Sequence, residues 1–158
     1  MNFEEPNPLN DVAEFHDAFG LPVLDRPQLI PKDRAALRIN LLAEELEELK
    51  EAIANDDLVE IADALCDLQY VLSGAILEFG MAEKFRSLFE EVHRSNMSKT
   101  CSTRQEAEET IRHYSEIKGE EGEWVEKNGK FVVYRMTDRK VLKSIRYSEA
   151  DLKSNLTQ

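Results

Sequence analysis

The chain has 158 residues and a formal net charge of −12, because 32 Asp and Glu outnumber 20 Lys and Arg. This length is typical of one domain with a sizeable core. The acidic balance argues against nucleic acid or an anionic membrane surface as the main partner, and no apolar stretch is long enough to span a membrane.

Helices are predicted over residues 10–19, 32–54, 58–79, 82–94 and 104–118. The first is expected to stop at Gly20 and the third at Gly80, because glycine is favoured just after a helix. Thr103 and Glu106 have the spacing of a capping box and begin the last helix. Residues 21–31 contain three prolines, which predict an extended connector.

The helices at 32–54 and 82–94 each have one apolar face, which we expect to point inward. The inward residues are Leu42, Leu46, Leu49 and Ile53 on the first, and Phe85, Leu88, Phe89 and Val92 on the second. The helix at 58–79 is apolar around most of its circumference, a pattern typical of a buried helix. We expect part of it to pack against a second copy of the chain, in a homodimer or a larger homo-oligomer.

After Gly119 the composition changes to runs of β-branched and aromatic residues. Asn128-Gly129 is a strong hairpin signal, and a second turn at Thr137-Asp138 predicts a third strand. The predicted fold is mainly α, with a helical domain over 1–119, a β-hairpin or three-strand appendage of the same domain over 120–150, and a frayed C-terminal tail over 151–158.

The cysteines and the first residues bear on the cellular compartment. Cys66 and Cys101 are far apart and form no CxxC motif, so we expect free thiols rather than a disulfide. The beginning MNFEEPNPLN has neither a basic region nor an apolar run, so no signal peptide is expected. Both features favour the cytoplasm.

Ten carboxylates and one lysine lie between Glu44 and Asp67. Such a concentration of like charge requires either water that screens it or cations that neutralise it. On the first of the two helices, Glu44, Glu48 and Glu51 lie nearly opposite the apolar face and are typical of a solvated surface. Glu45 lies on the flank, about 60° from Glu48, so these two side chains can reach one ion.

On the next helix, Glu60, Asp63 and Asp67 follow the spacing i, i+3, i+7 and form one stripe. Three carboxylates on a mostly buried helix cannot stay ionised unpaired, because desolvation and mutual repulsion raise their pKa values. Either basic side chains or hard cations must face them, and only Lys50 is close in sequence. Mg2+ suits carboxylate oxygens, with Mn2+ as a substitute. Asp57 and Glu60 also match a capping box, which gives Glu60 a purely structural alternative.

The ordered motifs on these helices resemble those of a known enzyme superfamily. EExxE followed by ExxD on consecutive helices, with YV soon after, is similar to the all-α nucleoside triphosphate pyrophosphohydrolases, which include MazG, the dimeric dUTPases and phosphoribosyl-ATP pyrophosphohydrolase. EFHDAFG, ALCDLQYVLSGAILEFG, EEVHRSNMSK and KVLKSIRYSEADL look more closely like the MazG-like, phosphoribosyl-ATP pyrophosphohydrolase-like branch. The resemblance implies an all-α helical bundle. It also implies Mg2+-dependent hydrolysis of a (d)NTP between the α and β phosphates, which gives a monophosphate and pyrophosphate.

The resemblance also implies roles for individual acids. The implied metal ligands are Glu45, Glu48, Glu60, Asp63 and Asp67. The motifs are compatible with direct metal binding by any of Glu60, Asp63 and Asp67, and with one metal or more. Glu44 or Glu45 would take the proton from the attacking water, and Glu44 is preferred where Glu45 is a direct ligand.

Two segments carry candidate contacts to the phosphates. By resemblance to the same branch, Asn96 and Lys99 are expected to contact the phosphates, and Arg94 lies in the same segment. Lys140, Lys143 and Tyr147 of the tail motif are expected to close over the phosphates or the base. A lysine supplies a point charge suited to phosphate. The alternative is that Arg94 and Lys99 only complement the C-terminal end of their helix.

Three functions are compatible with these observations. They are a (d)NTP pyrophosphohydrolase in nucleotide-pool housekeeping, a phosphoribosyl-ATP pyrophosphohydrolase of histidine synthesis, and a non-catalytic helical metal-binding or regulatory dimer. We favour the first because of the two carboxylate stripes. The expected partners are a nucleoside triphosphate and a second copy of the chain, with neither nucleic acid nor a membrane.

Overall fold

The structure is a computed structural model that describes residues 3–4 and 6–157. In chain order the elements are α1 (Pro8–Ala18), α2 (Lys32–Ala54), α3 (Leu58–Glu78), α4 (Ala82–Met97), α5 (Arg104–Lys118), β1 (Gly122–Lys127), β2 (Lys130–Arg135) and α6 (Leu152–Thr157). The prediction of a mainly helical fold with a small C-terminal hairpin is confirmed.

The helix bounds follow the sequence pattern closely. α2 has the predicted bounds, whereas α4 continues past the predicted end at Arg94 to Met97. α1 ends in a Schellman motif, in which the Leu21 N–H donates to the His16 carbonyl at 2.7 Å. Gly20 makes this turn possible with a φ of +65°, a conformation that residues with a Cβ rarely adopt.

The chain divides into two compact units, Met1–Arg86 and Ser87–Gln158. The boundary lies inside α4 and not at Gly119, where the composition changes. The physical reason is that α5 packs against both β1 and β2, so this helix groups with the hairpin and not with the earlier helices.

The first unit is built on α2 and α3, which pack along each other, with α1 against α3. Residues 55–57 connect α2 to α3, and so short a connection makes the two helices antiparallel. The connector at 21–31 is extended, as its prolines predict. It follows the C-terminal end of α3, where the Leu24 N–H donates to the Leu77 carbonyl at 3.1 Å.

A buried ion network joins the three helices of this unit. Glu78 is 1% exposed and accepts hydrogen bonds from Arg38 at 2.5 Å and from Arg34 Nε at 3.2 Å. His16, also buried, lies 3.2 Å from Arg38 through Nε2 and 2.8 Å from the Pro22 carbonyl through Nδ1. Burial alone would raise the pKa of Glu78, but the hydrogen bonds from both guanidinium groups outweigh it and lower the pKa.

The second unit has its own apolar core between α5 and the hairpin. Its buried residues are Cys101, Ala107, Tyr114, Val133 and Leu142. The turn of the hairpin is Asn128-Gly129, and both residues have the positive φ that a tight two-residue turn requires. The hairpin prediction is therefore confirmed, with its turn at the predicted place.

The predicted third strand is wrong. After the turn at Thr137-Asp138, Val141 forms only an isolated bridge with Tyr134. The chain then leaves the sheet, because the Ser144 N–H donates to the Lys99 carbonyl at 3.1 Å instead of to a strand. The end of the chain also differs from the prediction, since α6 replaces a frayed tail; Gln158 lies outside the described residues.

Several apolar residues that were predicted to face a core are exposed. They are Leu46 and Ile53 on α2, Leu65 and Leu72 on α3, and Phe89 and Val92 on α4. α3 is also less buried than its composition predicts, because α1 and α2 are the helices that pack closely along it among the described residues of this unit. Its N-terminal part, with Leu58 and Val59, is mostly solvent-exposed.

Two further predictions concern the membrane and the thiols. No helix in the described part of the chain is both long and apolar enough to cross a bilayer. Cys66 and Cys101 are free, as predicted, with the first exposed and the second buried.

We predict that Glu78→Gln lowers the free energy of unfolding by about 3–5 kcal/mol, because Arg38 would keep a buried charge without its partner. Urea unfolding followed by circular dichroism measures the loss. Glu14→Gln, on the exposed side of α1, is the control and should stay within about 0.5 kcal/mol of the unsubstituted protein.

The pH dependence follows from the lowered pKa of Glu78. Its stabilisation is present above the pKa of an unfolded glutamate and is lost as the pH falls through the lower pKa of the folded state. In Glu78→Gln, the free energy of unfolding should therefore fall less steeply as the pH is lowered. The same loss of stability at acidic pH in both proteins would contradict the role assigned to Glu78.

Candidate active site

Carboxylates from α2 and α3 lie close together on one side of the first unit. The pKa of Glu45 is raised, first by burial and then by the negative charges of four neighbouring carboxylates. In decreasing order of effect the neighbours are Glu48, Asp67, Glu44 and Asp63. We call Glu45 and these four residues the acidic face. It contains most of the acids that the sequence predicted for the site.

The acidic face has no cationic partner among the described residues. Lys50, the one lysine in this stretch of sequence, bonds to Glu47 at 2.6 Å on the exposed side of α2. None of the ion pairs within the described part of the chain includes a carboxylate of the acidic face. The repulsion that raises the pKa of Glu45 is therefore uncompensated within this unit.

Glu60 stands apart from the acidic face. Asp57 caps α3, since its Oδ1 accepts the N–H of Val59 at 3.0 Å and of Glu60 at 3.2 Å. The reciprocal bond of a capping box is not formed, because the Asp57 N–H already donates to the Ala52 carbonyl at 3.0 Å. The Glu60 side chain is exposed and is not among the charges that raise the pKa of Glu45.

The donor set of the acidic face suits a hard divalent cation. All its ligand atoms are carboxylate oxygens, the ligands that Mg2+ and Mn2+ accept. Within the described residues, no group of three or more His, Cys, Asp or Glu side chains converges closely enough to hold an ion. The acids are thus near enough to repel one another without converging on one point.

An apolar pocket of about 260 Å³ adjoins the acidic face along the same helices. Its wall includes Leu41, one turn before Glu45 on α2, and Tyr70, about one turn after Asp67 on α3. Phe15 of α1 lies against Tyr70 edge to face, with ring centroids 5.5 Å apart. This pocket is not predicted from the sequence, although Phe15 of EFHDAFG and Tyr70 of QYV line it.

Arg34, Arg38 and His16 line the same pocket, so it combines an apolar wall with the edge of the buried ion network. Gly74 allows the close approach of α3 to these side chains. A Cβ at this position would come within 2.6 Å of a terminal nitrogen of Arg38 and 3.1 Å of His16 Nε2.

In the second unit, Arg94 has a mainly structural environment. Its guanidinium donates to Glu91 at 2.7 and 2.8 Å and to the Glu149 carbonyl at 2.8 Å. Glu91 also accepts the Asp151 N–H at 2.8 Å. The hydrogen bond from Arg94, followed by that from Asp151, lowers the pKa of Glu91 to about 2. These bonds hold the C-terminal segment on α4.

Four other predicted contacts come together in this unit. Asn96 Oδ1 accepts a hydrogen bond from Lys99 Nζ at 2.7 Å, and Lys143 Nζ lies 4.1 Å from the centroid of the Tyr147 ring. The Ser144 N–H donates to the Lys99 carbonyl, which brings the two segments side by side. Lys140 differs, since it belongs to the turn after β2, where its N–H donates to Asp138 at 3.1 Å.

Comparison with known proteins identifies the family to which the larger part of the chain is similar. A family model described as phosphoribosyl-ATP pyrophosphohydrolase matches residues 12–96. The chain is also similar to uncharacterized protein L479 of Acanthamoeba polyphaga mimivirus, with 45% identity over 62 residues. That stretch is 36% of this chain and 25% of the viral protein, so the similarity covers about a quarter of that relative.

We predict that Glu45→Gln stabilises the protein in metal-free buffer. A raised pKa means that the folded state binds protons more tightly than the unfolded state, so the stability of the unsubstituted protein falls as the pH rises through that pKa. Removing the charge should raise the free energy of unfolding by about 0.2–0.5 kcal/mol, which is the cost of a like-charge pair on a helix surface. Thermal melting in EDTA at pH 5 and pH 8 measures it.

The control for this prediction is Glu51→Gln, on the exposed side of α2 and absent from the charges that act on Glu45. It should show the same pH dependence as the unsubstituted protein. A lower melting temperature for Glu45→Gln at pH 8 would show that the carboxylate has a partner that stabilises it.

Proposed function

Because the chain belongs to the phosphoribosyl-ATP pyrophosphohydrolase family, we propose that it is a Mg2+-dependent nucleoside triphosphate pyrophosphohydrolase. It would add water across the α–β phosphoanhydride bond of a (d)NTP and release a monophosphate and pyrophosphate. The observation that carries the proposal is the acidic face, five carboxylates from two helices with no cationic partner in the described residues. All of them lie within the stretch that matches the family model.

The acidic face is the proposed metal site. Glu45 and Glu48 of α2 and Asp63 and Asp67 of α3 would hold the cation, and Glu60 could join from the first turn of α3. Bound Mg2+, or Mn2+ in its place, supplies positive charge for the phosphates and increases the acidity of water. The cation would also remove the repulsion that raises the pKa of Glu45.

Glu44 is the proposed base. It is exposed and adjacent to Glu45 on α2, so its carboxylate stays accessible when the other acids hold the cation. A carboxylate within hydrogen-bond reach of the attacking water can accept its proton as the new bond to phosphorus forms.

The apolar pocket is the proposed place for the nucleoside. A nucleobase is flat and partly apolar, and Phe15 and Tyr70 offer aromatic surface for it. Leu41 and Tyr70 lie about one turn from Glu45 and Asp67, respectively, so a nucleoside seated there would direct its phosphates to the acidic face.

Within the second unit itself, Lys99 and Lys143 are proposed as an anion-binding group suited to phosphate, together with Asn96 and Tyr147. Lys140 can contribute charge from its neighbouring turn. For Arg94 we propose a different role, because its hydrogen bonds to Glu91 and Glu149 already use its guanidinium to hold the C-terminal segment.

The family description favours one second candidate, phosphoribosyl-ATP as the substrate of histidine synthesis. The bond that is broken is the same, and the two substrates differ in the group attached to the base. A competition assay between phosphoribosyl-ATP and a mixture of dNTPs distinguishes them through the ratio of kcat/KM values.

The expected partner is a second copy of the chain. Exposed apolar residues recur every seven positions on both long helices, at Ile39, Leu46 and Ile53 on α2 and at Leu58, Leu65 and Leu72 on α3. A seven-residue repeat is typical of helices that pack along other helices. Two copies would satisfy both repeats at once by forming a helical bundle across a twofold axis.

We predict that the protein with Mg2+ and a (d)NTP forms pyrophosphate and a monophosphate, and that Asp67→Asn lowers kcat by at least about a hundredfold. The variant should fold normally, because losing one of several repelling acids relieves strain. Ion-exchange chromatography identifies the products, and Glu51→Gln, outside the acidic face, should retain activity.

The outcomes of this assay separate the alternatives. Orthophosphate as the product, or no turnover of any triphosphate, would contradict the proposal. Mg2+ binding by isothermal titration without turnover would instead support a metal-binding regulatory dimer.

We also predict that the chain is at least a homodimer. Leu65→Asp places a charge in the middle of the apolar repeat of α3 and should shift the protein toward monomer, as measured by multi-angle light scattering. Glu14→Asp on the exposed side of α1 is the control. A monomeric unsubstituted protein at micromolar concentration would refute this prediction.

A further inference from the structure

The buried side of α5 carries polar side chains where an apolar stripe would be expected. Glu106, Thr110 and Tyr114 recur every four residues, so they form one stripe, and none is more than 9% exposed. Buried polar groups are unfavourable unless they are hydrogen-bonded. Their partners therefore show what this stripe does.

All three side chains bind one irregular segment, residues 139–147, which we call the strap. The Tyr114 hydroxyl accepts the Lys143 N–H, and Thr110 Oγ1 accepts the Ile145 N–H, both at 3.2 Å. Glu106 accepts a hydrogen bond from the Ser144 hydroxyl. Lys143, Ser144 and Ile145 of the strap therefore each donate one hydrogen bond to a side chain of the stripe.

Residues 142–147 of the strap have a complete set of backbone N–H hydrogen bonds although they are neither helix nor strand. Every backbone N–H from 142 to 147 has an acceptor. Those that do not bind α5 donate to the carbonyls of Val133, Lys99 and Ser144 and to the Ser144 hydroxyl. So complete a set of bonds restricts the strap to few conformations.

The strap is also the most basic segment of an acidic chain. Its sequence RKVLKSIR contains four cations and no acid, while the whole chain has a net charge of −12. Arg139 is paired with Glu123, but Lys143 has no acidic partner among the described residues and lies over the Tyr147 ring. Ser144, the next residue, is bonded to the backbone of Lys99.

We propose that Glu106, Thr110 and Tyr114 are positioning residues that hold Lys143 beside Lys99 as a preformed phosphate-binding group. The inference rests on the proposed function, because it takes these lysines to bind the phosphates. A group that is ordered before binding loses less conformational freedom when the anion arrives, so it binds more tightly. This explains why α5 buries hydroxyl and carboxylate groups that apolar residues could replace.

Thr110→Val and Thr110→Ser test the proposal as a pair. Valine has nearly the shape of threonine but no acceptor for the Ile145 N–H, whereas serine keeps the hydroxyl and loses a methyl group. Thr110→Val should weaken the binding of inorganic pyrophosphate to the full chain roughly three- to tenfold, the effect of one ordinary hydrogen bond. It should raise KM for the triphosphate by a similar factor with little change in kcat.

Thr110→Ser should have the pyrophosphate affinity and the KM of the unsubstituted protein, although its melting temperature also falls. Hydrogen exchange at the amides of 143–146 should accelerate in Thr110→Val and not in Thr110→Ser. Tyr114→Phe, which removes only the acceptor of the Lys143 N–H, should resemble Thr110→Val. Tyr134→Phe, on the hairpin, is the matched control.

Lys143→Ala separates failure of this inference from failure of the proposed function. If it leaves pyrophosphate affinity unchanged, the lysine does not bind phosphate and the premise fails. If Lys143→Ala weakens binding but Thr110→Val and Tyr114→Phe do not, only the positioning role is wrong. The positioning role would also be wrong if Thr110→Val and Thr110→Ser lost affinity equally. The loss of affinity would then follow the fall in melting temperature and not the loss of the hydroxyl.

Discussion

The pairing of α2 with α3 depends on the buried ion network around Glu78. Its carboxylate accepts hydrogen bonds from Arg38 and Arg34, so the C-terminal end of α3 is held against the N-terminal half of α2. Because the helices are antiparallel, this contact fixes how far one extends past the other. Glu45 lies about three turns after Arg34, and Asp67 lies about three turns before Glu78, which brings the acids of both helices to one level.

The two charged groups of the first unit have opposite electrostatic character. At one end Glu78 is buried and fully paired, which lowers its pKa. At the other end Glu45 is half-buried among like charges, which raises its pKa. A buried ion pair is costly to break, whereas uncompensated charges are typical of sites that receive a ligand.

In the second unit, a segment without regular secondary structure is held in place by hydrogen bonds. Its strap has no ladder of strand or helix bonds, so side chains of α5 and the backbone of Lys99 supply acceptors for its N–H groups. Buried hydroxyl and carboxylate groups can give a unique geometry that apolar packing alone does not specify. The same bonds explain why no third strand forms, since Ser144 donates to Lys99 and not to the sheet.

The sequence by itself determined the features that depend on local spacing. Apolar periodicity and turn residues located α2 and the Asn128-Gly129 hairpin, and the two carboxylate stripes were visible from helical geometry alone. Tertiary structure decided everything that depends on which elements meet. Leu65 is apolar yet exposed, Glu78 is charged yet buried, and Glu106 accepts hydrogen bonds from both Ser102 and Ser144. Spacing along one element predicts which residues share a face, but only packing decides what that face contacts, because burial and charge pairing depend on residues distant in the chain.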